Sequence, residues 1–273
     1  MDKVQSWKTS LRGIECYEAH LYHHRFEKHF HDAYTIGMNR SGAGQCVHQR
    51  RSHYHSPGSF NCINPAEIHT GEVAPHSDRW LFQNIYILPS ALEQILTQLE
   101  QPIQNGLPCF SKMVIDDPSL QVAFQQAFNA LVSTSAQKLE QQSKLLHFFA
   151  QLLPRHLQPL PAHRSTGSEH KTVQRVLAYL EAHCAKNITL DELGAFANLN
   201  PCYLIRCFHR QVGLPPHSYK KQCQLLGAKR SLDSEEAIAT IALRWGFYDQ
   251  SHLNRAFKKA YALTPGQYRA ARR

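Results

Sequence analysis

The last hundred residues of this 273-residue chain match themselves. Shifted by 48 residues, Leu190 meets Ile238, Leu193 meets Ile241 and Leu199 meets Phe247. Shifted by 49, Leu204 meets Leu253, Arg206 meets Arg255, Phe208 meets Phe257, Pro216 meets Pro265 and Tyr219 meets Tyr268. Self-similarity at a fixed spacing signals a repeated structural unit. Each copy reads as a helix, a short turn and a second helix with an aromatic anchor. The offset grows by one inside the turn, so the second copy has the longer turn.

Local signals place the helix ends. Thr189 is predicted to cap a helix through Asp191–Ala197, with Asp191 and Glu192 favourable near its positive end. Asn200 caps the next helix, Pro201 takes the position that tolerates proline, and Gly213 ends it after Val212. In the second copy the first helix spans 237–245 and Gly246 permits the turn. Asp249 caps a helix running to about Ala260. Leu204 with Phe208, and Leu253 with Phe257, are four apart and face inward. Cys202, Ile205, Arg206 and His209 then point mostly elsewhere in the first copy, and Gln250, Ser251, Asn254, Arg255 and Lys258 are left outward in the second. Arg210 and Lys259 join them as candidate DNA contacts. A helix over Ser218–Leu232 joins the copies.

Such a pair of units suits double-stranded DNA. A helix fits the major groove, where Arg reads guanine and Asn or Gln reads adenine. Lys220, Lys221, Lys229, Arg230, Lys258 and Lys259 would neutralise phosphates. A rigid joining helix would set the units into successive major grooves about 34 Å apart. Charge agrees with this. The chain carries +9, and residues 169–273 hold 16 Lys and Arg against 8 Asp and Glu, while residues 1–168 hold 14 against 13. Concentrated positive charge is the footprint of a polyanion partner. A membrane-binding face would need that charge on one amphipathic helix, so no membrane partner is expected. The rival to the whole pattern is a helical protein-interaction module, and for any one Lys or Arg it is a solvated surface charge.

The first residues lack the apolar core of a secretory signal, and no run is long and apolar enough to span a bilayer. Eight scattered cysteines without Cys-x-x-Cys suggest reduced thiols in a cytoplasm.

The N-terminal part reads differently. Short β-branched and aromatic stretches at Ile14–His24, Ala33–Asn39, Gly44–His48, Ser59–Ile63 and Trp80–Leu88 alternate with turn formers. This argues for a small antiparallel barrel or sandwich. Helices are predicted over Ser90–Leu99, Pro118–Leu131 and Lys138–Leu153, with Val122, Phe124, Phe128 and Leu131 on one apolar face. That face would pack within the chain or against a second copy. Residues 154–168, rich in Pro, Ser and Gly, read as a linker. The expected fold class is α+β in two domains: residues 1–153 as a β-barrel with flanking helices, and 169–273 as an all-α domain with two helix-turn-helix units.

The stretches ITLDELGAFANLNPCYLIRCFHRQVGLPPHSY and IATIALRWGFYDQSHLNRAFKKAYALTPGQYR resemble the AraC/XylS family of bacterial transcription regulators. The resemblance covers about 170–273. It implies base-facing positions at Cys202, Ile205 and Arg206, and at Gln250, Ser251, Asn254 and Arg255. This chain departs from the family at Ala262, where glycine is usual. Gly227 could soften the joining helix, and Cys202 and Ile205 leave the first reading helix poor in hydrogen-bonding groups. KHFHDAYTIG, SGAG, PGSF and NPAEIHTGE resemble the family's cupin-like sensory domain. That resemblance implies a small-molecule effector, an activating role, a homodimer and RNA polymerase as a partner.

Thirteen of 18 histidines precede residue 169. His29 and His31, two apart, would share one face of a strand, and His69 could join them across a barrel. Three readings stay open. His29, His31, Tyr34 and His69 could hydrogen-bond an organic effector. The histidines could be structural. His29, His31 and His69 could hold a divalent metal. No cofactor and no catalytic residues are assigned. A ligand-responsive regulator is the leading expectation. A metal-dependent cupin enzyme and a purely dimerising, ligand-independent barrel are the rivals.

Overall fold

Nine described strands are threaded through the first 87 residues, and the order in which they pair decides what the N-terminal part can enclose. The computed structural model describes residues 2–48, 51–101, 107–158 and 168–272. The chain divides into two compact units, Met1–Ala162 with Ala270–Arg273, and His163–Arg269.

The first unit opens with β1 (Lys3–Lys8), β2 (Ile14–Leu21), β3 (Phe26–His29), β4 (Tyr34–Gly42) and β5 (Gly44–His48). It continues with β6 (Arg51–His55), β7 (Phe60–Ile63), β8 (His69–Val73) and β9 (Trp80–Ile87). The short strands β10 (Cys109–Phe110), β11 (Val114–Ile115) and β12 (Leu157–Gln158) complete it. One antiparallel sheet has the order β1-β2-β9-β4-β7-β11, a second has β3-β8-β5-β6, and β10 pairs with β12. Strands β1, β3, β6 and β8 are additions to the sequence reading. They are short or rich in charged and imidazole side chains, so apolar alternation does not mark them.

Helix α1 (Pro89–Gln98), a 3₁₀ turn (Pro118–Leu120), α2 (Gln121–Val132) and α3 (Lys138–His156) cover one face of the larger sheet. Tyr34, Ile36, Met38, Phe60 and Ile85 from the sheet share one core with Leu92, Phe124, Phe128, Phe148 and Phe149 from the helices. Fully burying one such side chain contributes about 1.5–3 kcal/mol. Val122 departs from the expectation, being 67% exposed while Phe124, Phe128 and Leu131 are buried. The predicted linker starts too early. Pro154, Arg155 and His156 belong to α3, and Leu157–Gln158 pair with β10. His156 and Arg155 both reach Asp117 at the 3₁₀ turn, which anchors this end of α3. Residues 159–167 of the linker lie outside the described residues.

The second unit is helical: α4 (Ser168–His183), α5 (Leu190–Ala197), α6 (Pro201–Val212), α7 (Pro216–Ser231), α8 (Ile238–Arg244), α9 (Gln250–Tyr261) and α10 (Pro265–Ala270). The predicted caps form. Thr189 and Glu192 make a reciprocal capping box at α5. The Cys202 amide donates to Asn200 Oδ1 at 2.9 Å, and the His252 amide donates to Asp249 Oδ1 at 2.6 Å. Helix α6 ends on Gly213 at φ +85°, and α9 ends on Ala262, forced into the same left-handed region at φ +57°. The repeat extends to packing. Phe208 meets Tyr219 edge-on at 5.8 Å, and Phe257 meets Tyr268 edge-on at 5.6 Å. Gly227 lies in α7, where a Cβ would sit 2.2 Å from the Trp245 ring. Its role is therefore close approach of the second copy to the joining helix, rather than softening.

Candidate effector pocket and nucleic-acid interface

Strand register sorts the barrel's side chains by face, because alternate residues point to opposite sides. Tyr34, Ile36 and Met38 face the helices. Thr35, Gly37 and Asn39 face the other way, opposite Tyr86, Asn84 and Phe82 of β9. Gly37 is required there: a Cβ would lie 1.8 Å from Asn84 Oδ1 and 2.4 Å from Asn61 Oδ1. In the space it leaves, Asn61 donates to Asn84 at 3.4 Å and Asn84 donates to the Tyr86 hydroxyl at 3.3 Å.

Beyond Tyr86 lie three histidines. The His31 ring centroid is 5.1 Å from that of Tyr86, 4.9 Å from His29 and 5.2 Å from His69, while His29 and His69 are 4.3 Å apart. All three are buried, and one ring nitrogen from each lies within 4.8 Å of the other two. His29 reaches His69 because β3 and β8 pair there. His31 lies beyond the end of β3, so the pair converges without the shared strand face the sequence suggested.

Their protonation follows from their partners. His29 Nδ1–H donates to the Glu27 carbonyl at 2.6 Å, and His69 Nδ1–H donates to the Glu67 carbonyl at 2.9 Å. A carbonyl only accepts, so each Nδ1 carries the proton and Nε2 keeps the lone pair. Burial pushes His29 down to about 4, against the upward pull of the Glu27 carbonyl. Burial, with His29 nearby, also holds His69 well below the usual imidazole range. Both rings are neutral at neutral pH.

Tyr34 does not join this group. It sits in the helix-facing core and donates its hydroxyl to the Pro108 carbonyl at 2.8 Å. In β4 both faces are buried, so alternation of polarity could not tell the sequence reading which side Tyr34 takes.

Toward the other end of β9 the interior holds polar atoms that lack partners among the described residues: both ring nitrogens of His55, Trp80 Nε1 and Asn39 Oδ1. His55 stacks on Trp80 at 5.8 Å, and burial pushes its imidazole down to about 4. Each unsatisfied buried group costs about 1–3 kcal/mol, so a polar ligand would find ready partners here. Beside the histidine cluster, His48 pairs in register with His69. His48 also lines a cleft of about 470 Å³ together with Arg51, His53, Glu67 and Lys112. That volume lies within the range of small-molecule sites, about 300–1,000 Å³.

In the helical unit, α6 and α9 each bury a Leu–Phe pair and turn a polar face outward. Leu204, Phe208, Leu253 and Phe257 are fully buried. Cys202, Arg206 and Arg210 of α6 are exposed, as are Gln250, Ser251, Arg255, Lys258 and Lys259 of α9, while Ile205 and Asn254 are half-buried. Arg206 lies 5.8 Å from the Tyr203 ring. Arg210 is engaged within the domain, paired with Glu169 of α4, which also accepts from the Tyr203 hydroxyl. Among the expected phosphate partners, Lys221 and Arg230 are exposed, whereas Lys229 lies 5.4 Å over the Tyr268 ring and Lys220 is half-buried. Tyr203, 40% exposed, and Tyr248, 86% exposed in the turn before α9, extend the same surface. The sequence reading missed both. An aromatic among turn formers was the available signal at Tyr248.

No described helix is long and apolar enough to cross a membrane. The sequence model for the AraC-like ligand binding domain matches residues 12–152, and that for a helix-turn-helix domain matches residues 193–271. The uncharacterized HTH-type transcriptional regulator YbfI of Bacillus subtilis is 30% identical over 88% of this chain and 86% of its own length. The HTH-type transcriptional activator RhaS of Klebsiella pneumoniae is 27% identical over 90% of this chain and 88% of its own. In fold, the chain is similar to ToxT from Vibrio cholerae, with a TM-score of 0.55 at 11% identity, covering 99% of this chain and 98% of ToxT. With a sheet-rich ligand-binding domain followed by paired helix-turn-helix units, the chain belongs to the AraC family of transcriptional regulators.

Proposed function

We propose that this protein activates transcription in the cytoplasm by reading a bipartite DNA site with α6 and α9, under control of a small effector held by the barrel domain. The repeated, outward polar faces of α6 and α9 on either side of α7 carry this reading. Arg206, Gln250, Ser251, Asn254 and Arg255 are assigned to base edges, with apolar contact from Cys202 and Ile205. Lys258 and Lys259 are assigned to phosphates. Sensing is assigned to the unit that ends with β12 and DNA binding to α4–α10. Arg51 and Lys112 line the cleft together with His48, His53 and one carboxylate, Glu67, which lies 3.9 Å from His48. That balance suits a small organic anion. An unsaturated fatty acid is bound in a structure of ToxT, which shares the fold.

An effector changes transcription only by binding one arrangement of the protein better than another. A homodimer formed through the helical layer and contact with RNA polymerase complete the reading. Val122 and Leu139, 67% and 72% exposed, supply apolar surface on α2 and α3 for such pairing. The activating sign follows RhaS, a transcriptional activator.

The test is genome-wide mapping of DNA occupancy in the native cell. A few sharp sites sharing a two-part motif upstream of one operon are expected. Diffuse occupancy without a motif would refute sequence-specific regulation.

A further inference from the structure

We propose that His29, His31 and His69 form a binding site for one divalent transition-metal ion of the zinc, cobalt and nickel type inside the barrel. The inference deepens the reading of this unit as the ligand-binding part of the regulator and rests on it.

Three observations support it. The three side chains converge from separate places in the fold: His29 at the end of β3, His31 in the segment beyond it and His69 at the start of β8. Their ring nitrogens already lie within 4.8 Å of one another, so small rotations would bring them to a common ion. Zn–N bonds of about 2.0–2.1 Å are the target of that contraction. Second, the Glu27 and Glu67 carbonyls fix the tautomer of two of the rings. A histidine that ligates through one nitrogen almost always donates the other N–H to a carbonyl or carboxylate. The same i−2 carbonyl serves both rings, so the backbone orients them in the same way. Third, the donor set is all imidazole. Imidazole suits zinc, nickel, copper and iron, whereas calcium and magnesium require oxygen ligands. Three histidines leave a fourth position for water or a ligand atom.

The test uses the full chain, purified without a histidine tag and stripped with a chelator. Zn²⁺ or Co²⁺ is added, excess metal is removed, and the bound metal is measured by mass spectrometry. About one equivalent per chain is expected. The Co²⁺ form should show the intense visible bands of a low-coordinate site. His69→Gln and His31→Gln should each lower retained metal at least about tenfold, while the exposed His76→Gln retains it fully. If a buried variant fails to fold, the Co²⁺ spectrum of the unaltered chain still decides the matter. Absence of those bands together with substoichiometric Zn²⁺ would overturn the site, as would undiminished metal in folded His69→Gln. Loss of the metal result alongside sharp operator binding would remove this site and leave the regulator reading standing. Stoichiometric metal without specific DNA binding would do the reverse.

Discussion

Gly227→Ala probes how the second helix-turn-helix is held to α7. By helix propensity alone the change should stabilise, because alanine in a helix interior is favoured over glycine by about 1 kcal/mol. The tertiary structure reverses the sign. The added Cβ would meet Cζ3, Cε3 and Cη2 of Trp245 at 2.2, 2.4 and 2.4 Å. Ordinary carbon contacts are about 3.5–4.0 Å, so the indole must move by more than an ångström. Trp245 is also tied down, donating Nε1–H to Ser231 Oγ at 2.9 Å. Overpacking costs about 1–3 kcal/mol, and losing the hydrogen bond costs about 1 kcal/mol more. Set against the propensity gain, the net destabilisation is about 1–3 kcal/mol.

The displacement acts where α8 meets the joining helix, so it also changes the spacing of α6 and α9. The full-length variant should unfold at lower urea, followed by helical circular dichroism. It should lose affinity for a two-part operator more than for either half alone. Combining it with Trp245→Leu should recover part of the loss, with a coupling of about 1 kcal/mol or more. A Gly227→Ala chain as stable as the parent, with unchanged operator affinity, would refute the packing argument.

Ala262 sits at φ +57°, a conformation that costs a non-glycine residue about 1 kcal/mol or more. Ala262→Gly should therefore stabilise the helical unit by up to about 1 kcal/mol, and a lower unfolding midpoint would contradict this. Arg255→Ala should weaken operator binding by about 1–3 kcal/mol and relax selectivity at one base position, while Lys258→Ala should weaken all sequences alike and flatten the salt dependence. Titration of binding at several salt concentrations separates the two roles, and a purely sequence-selective loss in Lys258→Ala would defeat the phosphate assignment. His55, facing Trp80 and the neighbouring His53, is held at about 4 against an ordinary 6.5, chiefly by burial. Between those values the unfolded chain binds the proton and the folded chain does not. Its contribution, up to about 3 kcal/mol, is thus present above pH 6.5 and lost as pH falls toward 4. Thermal midpoints across that window should fall less in His55→Phe, and parallel curves would refute the assignment.

The helical half was legible from the residues alone. Caps act over two or three residues: Asn200 on Cys202, Asp249 on His252, Thr189 on Glu192. The 49-residue offset repeats the Asn200 cap at Asp249, so the inward faces and most exposed residues of α6 and α9 were legible. Tyr203 was missed, and Ile205 and Asn254 proved half-buried. In the sheet half the reach of the signal failed. His29 and His31 are neighbours in sequence, but only the pairing of β3 with β8 brings His69 to them. Tyr34 could not be assigned a side, because the interior covers one face of β4 and the helices cover the other, which erases the alternation that reveals orientation. Gly227 read as a weak point in a helix until Trp245, far along the chain, was seen to occupy the space its missing side chain leaves. Local hydrogen bonding and periodicity are written in neighbouring residues. Convergence and close approach between distant segments are set by the packing of the whole fold.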